Sequence, residues 1–406
     1  MIHLREVLPV VICLILINTG LAQTRFLQGD WEDIMKKARD ENKPVFVDLY
    51  FTGCMPCAQM DKRVFPDEKV AALLNNDFIT CKVNVFHDQE KALGEKLMKK
   101  YAITGFPTLL LLSPDQHVIN IQGGFAGVDK LVGLLKDAKR KNESREYKKY
   151  STSFDMEFPD FYNAYFESKK LTATPDDIEA YLDARDDKMA EVPFLIMMKL
   201  VNRGKYADYY IRNSRKLGDM YGKERVAMSL LDKIREKADK LGKDNDIEGY
   251  DTVLEDIRKM FDKGDWNRLS IGSFYTPYYK ASGNTFWFIK KVEEGAYDWQ
   301  ERSNAYAQVI IDSRNNKQAL STLASLYKKN RTDHSTAADI YKMGLIQFYL
   351  GKHDEATETL QHISGAKTSY YLNEEDITAL QRAIASGDTA SFQPKAALDP
   401  KPMILE

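Results

Sequence analysis

The sequence predicts an α/β domain, a central mixed sheet flanked by helices, followed by an all-α domain. Three observations lead there. Between Asp30 and about Asn142, helix-like and strand-like stretches alternate. Two cysteines, Cys54 and Cys57, stand two residues apart where an apolar run gives way to helix-forming sequence. Beyond a charged run at 139–150, strand patterns largely vanish.

In chain order, Asp30 can cap a helix carrying Trp31, Ile34 and Ala38 on one face, and Asn42-Lys43-Pro44 stops it before the strand "VFVDLY". After the cysteine pair, helix-forming residues reach Val64 and break at Pro66. Asp67 then opens a short helix through Val70, Leu73 and Leu74. "FITCKVNVF" places Ile79, Cys81, Val83 and Val85 at period two, a strand with one apolar face, so Cys81 reads as a buried, inert thiol. A helix with Leu93, Leu97 and Tyr101 leads to the buried strand in "ITGFPTLLLLS". Ser113-Pro114-Asp115 turns the chain into "HVINIQGG", and a last helix carries Val128, Leu131, Leu135 and Ala138. The run "KRKNESREYKKY" reads as the end of that helix and a linker.

At 406 residues, with 44% apolar and 29% charged positions, the chain has room for two domains. A net charge of -2 with mixed signs throughout offers neither a basic field for nucleic acid nor a polybasic membrane patch. His3 and Arg5 precede "VLPVVICLILI", and the small residues Gly20 and Ala22 follow, which is the layout of a signal peptide over 1–22 cleaved after Ala22. The run is short of the roughly 20 residues a bilayer-spanning helix needs, so no stable membrane insertion is expected after cleavage. The alternative is an uncleaved anchor. Cleavage would remove Cys13 and leave Cys54, Cys57 and Cys81; spacing suggests that 54 pairs with 57.

The expected domains are 23–143 and 144–406. In the second, Thr174-Pro175-Asp176-Asp177 is a strong helix start, and amphipathic stretches follow to about Leu241. Near 319–365, Ala338, Tyr341, Leu345, Tyr349, Ala356 and Leu360 fall on facing sides of two helices joined at Gly351, a pattern that resembles a tetratricopeptide-type hairpin. The aromatic clusters "FPDFYNAYF" and "FYTPYYKASGNTFWF" fit either an interface or the core of packed helices.

A CxxC pair at a strand-to-helix junction puts its first sulfur at a helix N-terminus, where unpaired N–H groups favour thiolate. The second cysteine, one turn on, can then attack the first once that sulfur is bonded to a substrate. Zinc is the main rival. One pair, with histidines scattered at 87, 117, 334, 353 and 362, does not supply four ligands, and no metal is expected. Nothing in the sequence calls for a cofactor, since no P-loop, GxGxxG, HExxH or GxSxG stands out.

Residues from about 30 to 142 resemble a thioredoxin domain on four matches. Cys54 and Cys57 match its redox pair with Pro56 before the second cysteine, and Asp48, six residues before the first, matches its buried acid. Lys82 in "CKVN" matches its partner lysine, and Pro107 in "ITGFPT" its cis-proline, with Phe106 before it. The resemblance implies Cys54 as nucleophile and Cys57 as resolving thiol. It also implies Asp48 as the base that deprotonates Cys57 and Lys82 as its modulator, with Phe106, Pro107, Met55 and Pro56 facing substrate. Gly53 departs from the family, which often carries tryptophan there.

Pro56 stands where strong oxidants of the superfamily carry histidine, so the reduced thiolate gains less and the couple should lie toward the thioredoxin end, about -270 mV. The wording "NKPVFVDLY" and "QMDKRVFPDEKVAALLNNDF" is similar to the soluble end domain of membrane thiol reductases. The expectation is an extracytoplasmic, periplasmic-type thiol:disulfide oxidoreductase that reduces disulfide-containing proteins. It would be supplied with electrons by a membrane thiol reductase. The alternative is a helical scaffold or holdase whose Cys54–Cys57 disulfide is structural.

Overall fold

The computed structural model describes residues 23–330, 335–365 and 372–394. The expected signal peptide and residues 331–334, which include His334 and fall within the expected tetratricopeptide-like region, lie outside the described residues. A four-stranded sheet forms in the order β2-β1-β3-β4 from β1 (Val45–Tyr50), β2 (Ile79–Asn84), β3 (Thr108–Leu112) and β4 (Val118–Gly123). β1 runs parallel to β2 and antiparallel to β3, and β3 antiparallel to β4, so the sheet is mixed.

The central strands are buried on both faces, which is why β1 and β3 read as continuous apolar runs rather than alternating ones. One face carries Phe46, Leu109, Leu111 and Ile119 against Val64, Phe65, Val70, Leu74, Leu131 and Leu135. These come from the helical turns after the cysteines, from α3 (Glu68–Asp77) and from α5 (Val128–Glu143). α1 (Trp31–Glu41) and α4 (Lys91–Lys100) pack against β2. Asp30 precedes α1 in extended conformation but makes no side-chain cap bond, whereas the Asp67 carboxylate accepts the Lys69 and Val70 N–H groups. The helix expected from the cysteines to Val64 is α2 (Met55–Gln59) continued by a π turn (Met60–Val64), in which the Phe65 N–H reaches Met60 O at 2.9 Å.

The charged run after α5 ends the helix, but its tyrosines pack rather than dangle. The Lys148 N–H donates to Val118 O, and Tyr150 is buried against Tyr101, Phe194 and Tyr221. Helices then follow without further strands: α6 (Asp160–Ser168), α7 (Pro175–Asp183), α8 (Glu191–Leu200), α9 (Lys205–Arg212), α10 (Ser214–Tyr221), α11 (Lys223–Lys243), α12 (Ile247–Arg258) and α13 (Lys263–Leu269). After them come α14 (Thr276–Ser282), α15 (Thr285–Glu294), α16 (Trp299–Asp312), α17 (Lys317–Asn330), α18 (Ala337–Tyr349), α19 (His353–Gln361) and α20 (Glu374–Ser386). Thr174 and Asp177 form a reciprocal capping box at α7. Among the described residues, no helix is long and apolar enough to cross a membrane.

The chain divides into two compact units. The first holds the sheet, α6, α7 and α8, together with residues 213–229; the second holds residues 202–212 and the chain from 230 onward. In the second, the aromatic run after α13 is mostly core: Phe274, Tyr275, Tyr278, Tyr279, Trp287 and Phe288 are buried, and Phe286 is exposed. α18 and α19 turn at Gly351, whose φ is 78°, and pack closely enough that a Cβ at Gly344 would stand 2.9 Å from Leu360 Cδ2. Lys342, buried in α18, donates to Ser303 O and Oγ at 3.0 Å, and burial pulls its pKa down to about 8.

At Gly94 in α4, a Cβ would stand 2.7 Å from the backbone Cα of Val85. Gly94→Val should therefore destabilise the first unit by about 1–3 kcal/mol, because overpacking against backbone outweighs the roughly 1 kcal/mol at most gained in helix propensity. Urea unfolding followed by fluorescence measures the difference; a more stable variant would show that α4 can move off β2.

Candidate active site

β1 delivers the chain to the redox pair. The Cys54 N–H donates to Phe51 O at 3.2 Å, closing a four-residue turn whose third residue, Gly53, has φ of 98°. A Cβ there would meet no atom within 4 Å, so glycine is required by the backbone and not by space. A tryptophan at this position would have to adopt the same left-handed backbone.

Cys54 is the N-cap of α2, and its sulfur accepts the Cys57 N–H at 3.2 Å. Pro56 lies in the first turn, where its missing N–H breaks no helical bond. Cys54 and Cys57 are joined as a disulfide with their Cα atoms 5.3 Å apart. They are 6% and 3% exposed, whereas Met55 between them is 78% exposed. In the reduced state the same N–H would donate to the Cys54 thiolate, a charge-assisted bond that favours the ionised sulfur.

Asp48 sits in the middle of β1, fully buried, with no hydrogen bond to either carboxylate oxygen. Parallel register sets it opposite Lys82, whose Nζ stands 3.3 Å from Asp48 Oδ2 as an ion pair without hydrogen-bond alignment. Burial pushes the Asp48 pKa up to about 6, and Lys82 only partly offsets it. The ammonium is shared, because it also pairs with Asp61 Oδ1. Burial works against the Lys82 charge, yet the Asp48 and Asp61 carboxylates outweigh it and hold its pKa above the ordinary lysine value. The rings of Phe26, Tyr50 and Phe65 box the ammonium, with centroids at 5.2, 4.6 and 5.3 Å.

The Phe106–Pro107 bond is cis. Phe106 packs edge-on to Phe51 at 5.6 Å and Phe86 at 6.3 Å, and Phe86 is 55% exposed. Cys81 is buried in β2 opposite Val47, and burial pushes its thiol up to about 12, too high to exchange.

Sequence reasoning missed Asp61 and the rings of Phe51 and Phe86. Asp61 was findable: it lies four residues past Cys57, on the same side of a continuing helix. Phe51 and Phe86 meet because β1 and β2 pair with Tyr50 opposite Asn84, a register no local pattern announces. The arrangement can pass two electrons. A Cys54 thiolate can attack a substrate sulfur, and Cys57 can then displace the substrate thiolate by attacking Cys54, given a group that holds and releases a proton near neutrality.

Residues 31–139 match the family model of the thioredoxin-like domain. Over 99 residues the chain is 31% identical to protein B0495.5 of Caenorhabditis elegans, covering 22% of this chain and 13% of the relative. Over 108 residues it is 31% identical to the thiol:disulfide interchange protein DsbD of Colwellia psychrerythraea, covering 26% and 16%. Among solved structures, it is 20% identical to the oxidised C-terminal domain of Neisseria meningitidis DsbD, with a TM-score of 0.23, covering 26% of this chain and 90% of that one. The matched region is thus about a sixth or less of the length of these curated relatives.

Gly53→Trp and Gly53→Ala should destabilise alike, by about 1–2 kcal/mol, because the cost is the left-handed backbone. A tryptophan variant much worse than alanine in urea unfolding would point to crowding instead. For Asp48, the folded state keeps a proton between its ordinary value of 3.8 and about 6 that the unfolded chain gives up. Stability attributable to this group therefore falls as pH rises through that window, leaving a penalty on the order of 3 kcal/mol above it. Asp48→Asn should make the oxidised protein about 1–3 kcal/mol more stable at pH 7.5, a gain that disappears by pH 3.5; an equal gain at both pH values would contradict this origin.

Proposed function

We propose that this chain, whose residues 31–139 form a thioredoxin-like domain, is an exported thiol:disulfide oxidoreductase that works mainly as a reductase of protein disulfides. The observation that carries the reading is the Cys54–Cys57 disulfide at the head of a helix, reached from a strand whose buried Asp48 has neither oxygen hydrogen-bonded. Such a carboxyl is poised to exchange a proton near neutral pH.

In this cycle the Cys54 thiolate attacks one sulfur of a substrate disulfide, and the other leaves as a thiolate. Asp48 takes the proton from Cys57, and Lys82 tunes how readily it does so. Cys57 then attacks Cys54, releasing the second substrate thiolate and restoring the internal disulfide, so two electrons pass to substrate. Met55, Pro56, Phe106 and Pro107 meet the polypeptide around the reacting sulfur. Pro56 supports the reducing direction, because it places no imidazolium beside the thiolate to favour the reduced enzyme.

The leader-like residues 1–22 support export with cleavage after Ala22, leaving a redox domain over 23–143 and a helical domain over 144–406. Outside the cytoplasm the oxidised pair would be re-reduced by a membrane thiol reductase. The α18–α19 hairpin supports a tetratricopeptide-like element in the helical domain.

With dithiothreitol as the electron source, the mature protein should accelerate insulin reduction, and Cys54→Ser should abolish the acceleration. A redox titration should put the midpoint nearer about -270 mV than -120 mV. Suppressed aggregation with no turnover would mark a scaffold instead, and a midpoint above about -150 mV would reverse the direction of electron flow.

A further inference from the structure

Within the first unit, the segment Lys99–Thr104 leads out of α4 into Gly105, Phe106 and cis-Pro107. Residues outside the thioredoxin-like region hold it at nearly every step. The Tyr162 hydroxyl of α6 donates to Lys99 O at 2.9 Å. Lys100, itself buried, pairs with Glu191 at the start of α8 at 2.7 Å, and the second Glu191 oxygen accepts the Ser151 N–H at 2.6 Å. Arg225 of α11 donates to Tyr101 O and, at 2.8 Å, to the Tyr150 hydroxyl. At the far end of α8, Lys199 donates to Thr104 Oγ1.

Two features separate this from ordinary packing. A buried ion pair adds little net stability over an apolar pair of the same shape, but its fixed hydrogen bonds specify one geometry. Ala102 closes the C-terminus of α4 in the left-handed conformation, φ 49°, with the Ile103 N–H donating to Met98 O at 2.9 Å, a cap position that glycine usually fills and that costs a non-glycine residue about 1–2 kcal/mol. The bonds to Tyr101 O and Thr104 Oγ1 flank it on both sides.

We propose that α6, α8 and Arg225 act as a brace for the cis-proline loop, with Lys199 and Thr104 as positioning residues that set the loop for a polypeptide substrate. The inference rests on the oxidoreductase reading and adds a role for part of the helical chain. A long substrate must pair with the loop while its disulfide meets Cys54. A small disulfide needs the sulfur alone. Loosening the brace should therefore weaken the use of protein disulfides and spare small ones.

The test uses full-chain Thr104→Val, Lys199→Met, their double variant and Lys199→Arg, assayed on insulin and on dithiobis(nitrobenzoate). Each single variant should raise KM for insulin about three- to tenfold, the range expected from losing one ordinary solvent-accessible hydrogen bond. Turnover of the small disulfide and the redox midpoint should stay unchanged. The double variant should be no worse than Lys199→Met alone, since both substitutions remove the same bond, and Lys199→Arg should recover most of the loss. Unchanged insulin kinetics, or equal loss on both substrates, overturns the brace. A wild-type protein inactive on both disulfides overturns the oxidoreductase reading, and the inference with it.

Discussion

A carboxyl group with no hydrogen bond, buried in the central strand of a mixed sheet, is the constraint to which the rest of the redox site answers. Asp48 is flanked by Val47 and Leu49 and paired across the sheet with β2 on one side and β3 on the other, so water cannot reach it. The nearest compensating charge, Lys82, is divided between Asp48 and Asp61 and confined among three rings. A whole ammonium aligned on Asp48 would hold the carboxyl ionised well below neutral pH. A shared one leaves it protonated up to about pH 6. Stability is given up at that position above about pH 6, where the buried carboxyl must ionise.

The cysteines use the same economy of means. Gly53 lets the turn after β1 fold back so that Cys54 lands on the helix cap, and Pro56 stiffens the first turn without breaking a bond. The three cysteines of the described residues are sorted by environment. Cys54 receives an N–H and Cys57, its disulfide partner, lies one turn further in, while Cys81, on β2 opposite Val47, is held neutral chiefly by burial. Reactivity follows from position in the fold rather than from anything intrinsic to the residue.

Tyrosine is the other recurring device. In the first unit, Tyr101, Tyr150, Tyr162 and Tyr221 bury their rings; Tyr150 and Tyr162 donate their hydroxyls to backbone carbonyls, as does Tyr221. Each such residue contributes a large apolar area and one directional bond, which fixes where a helix sits along its partner as well as how deeply. Helices joined this way keep their registration on the segment they touch, here the one that leads from α4 into cis-Pro107.

The sequence by itself determined the order of elements, because a run such as "VFVDLY" or a cap such as Thr174-Pro175 is decided by near neighbours. It also marked Cys54, Cys57, Asp48, Lys82 and Pro107 as belonging together, through resemblance to a family whose spacing they share. The environment of those residues was a tertiary matter. That Asp61 also pairs with Lys82, that Phe26 and Phe65 box it, and that Phe51 and Phe86 meet Phe106 all depend on strand register and on helix faces meeting across the sheet. The polar run after α5 read as a linker because charge dominates its composition. Tyr147 stacks on His117, and Tyr150 packs into a corner whose walls Phe194 and Tyr221 are more than 40 residues further along. Local pattern fixes what a segment can be; only the burial supplied by distant segments fixes what its charged and aromatic side chains do.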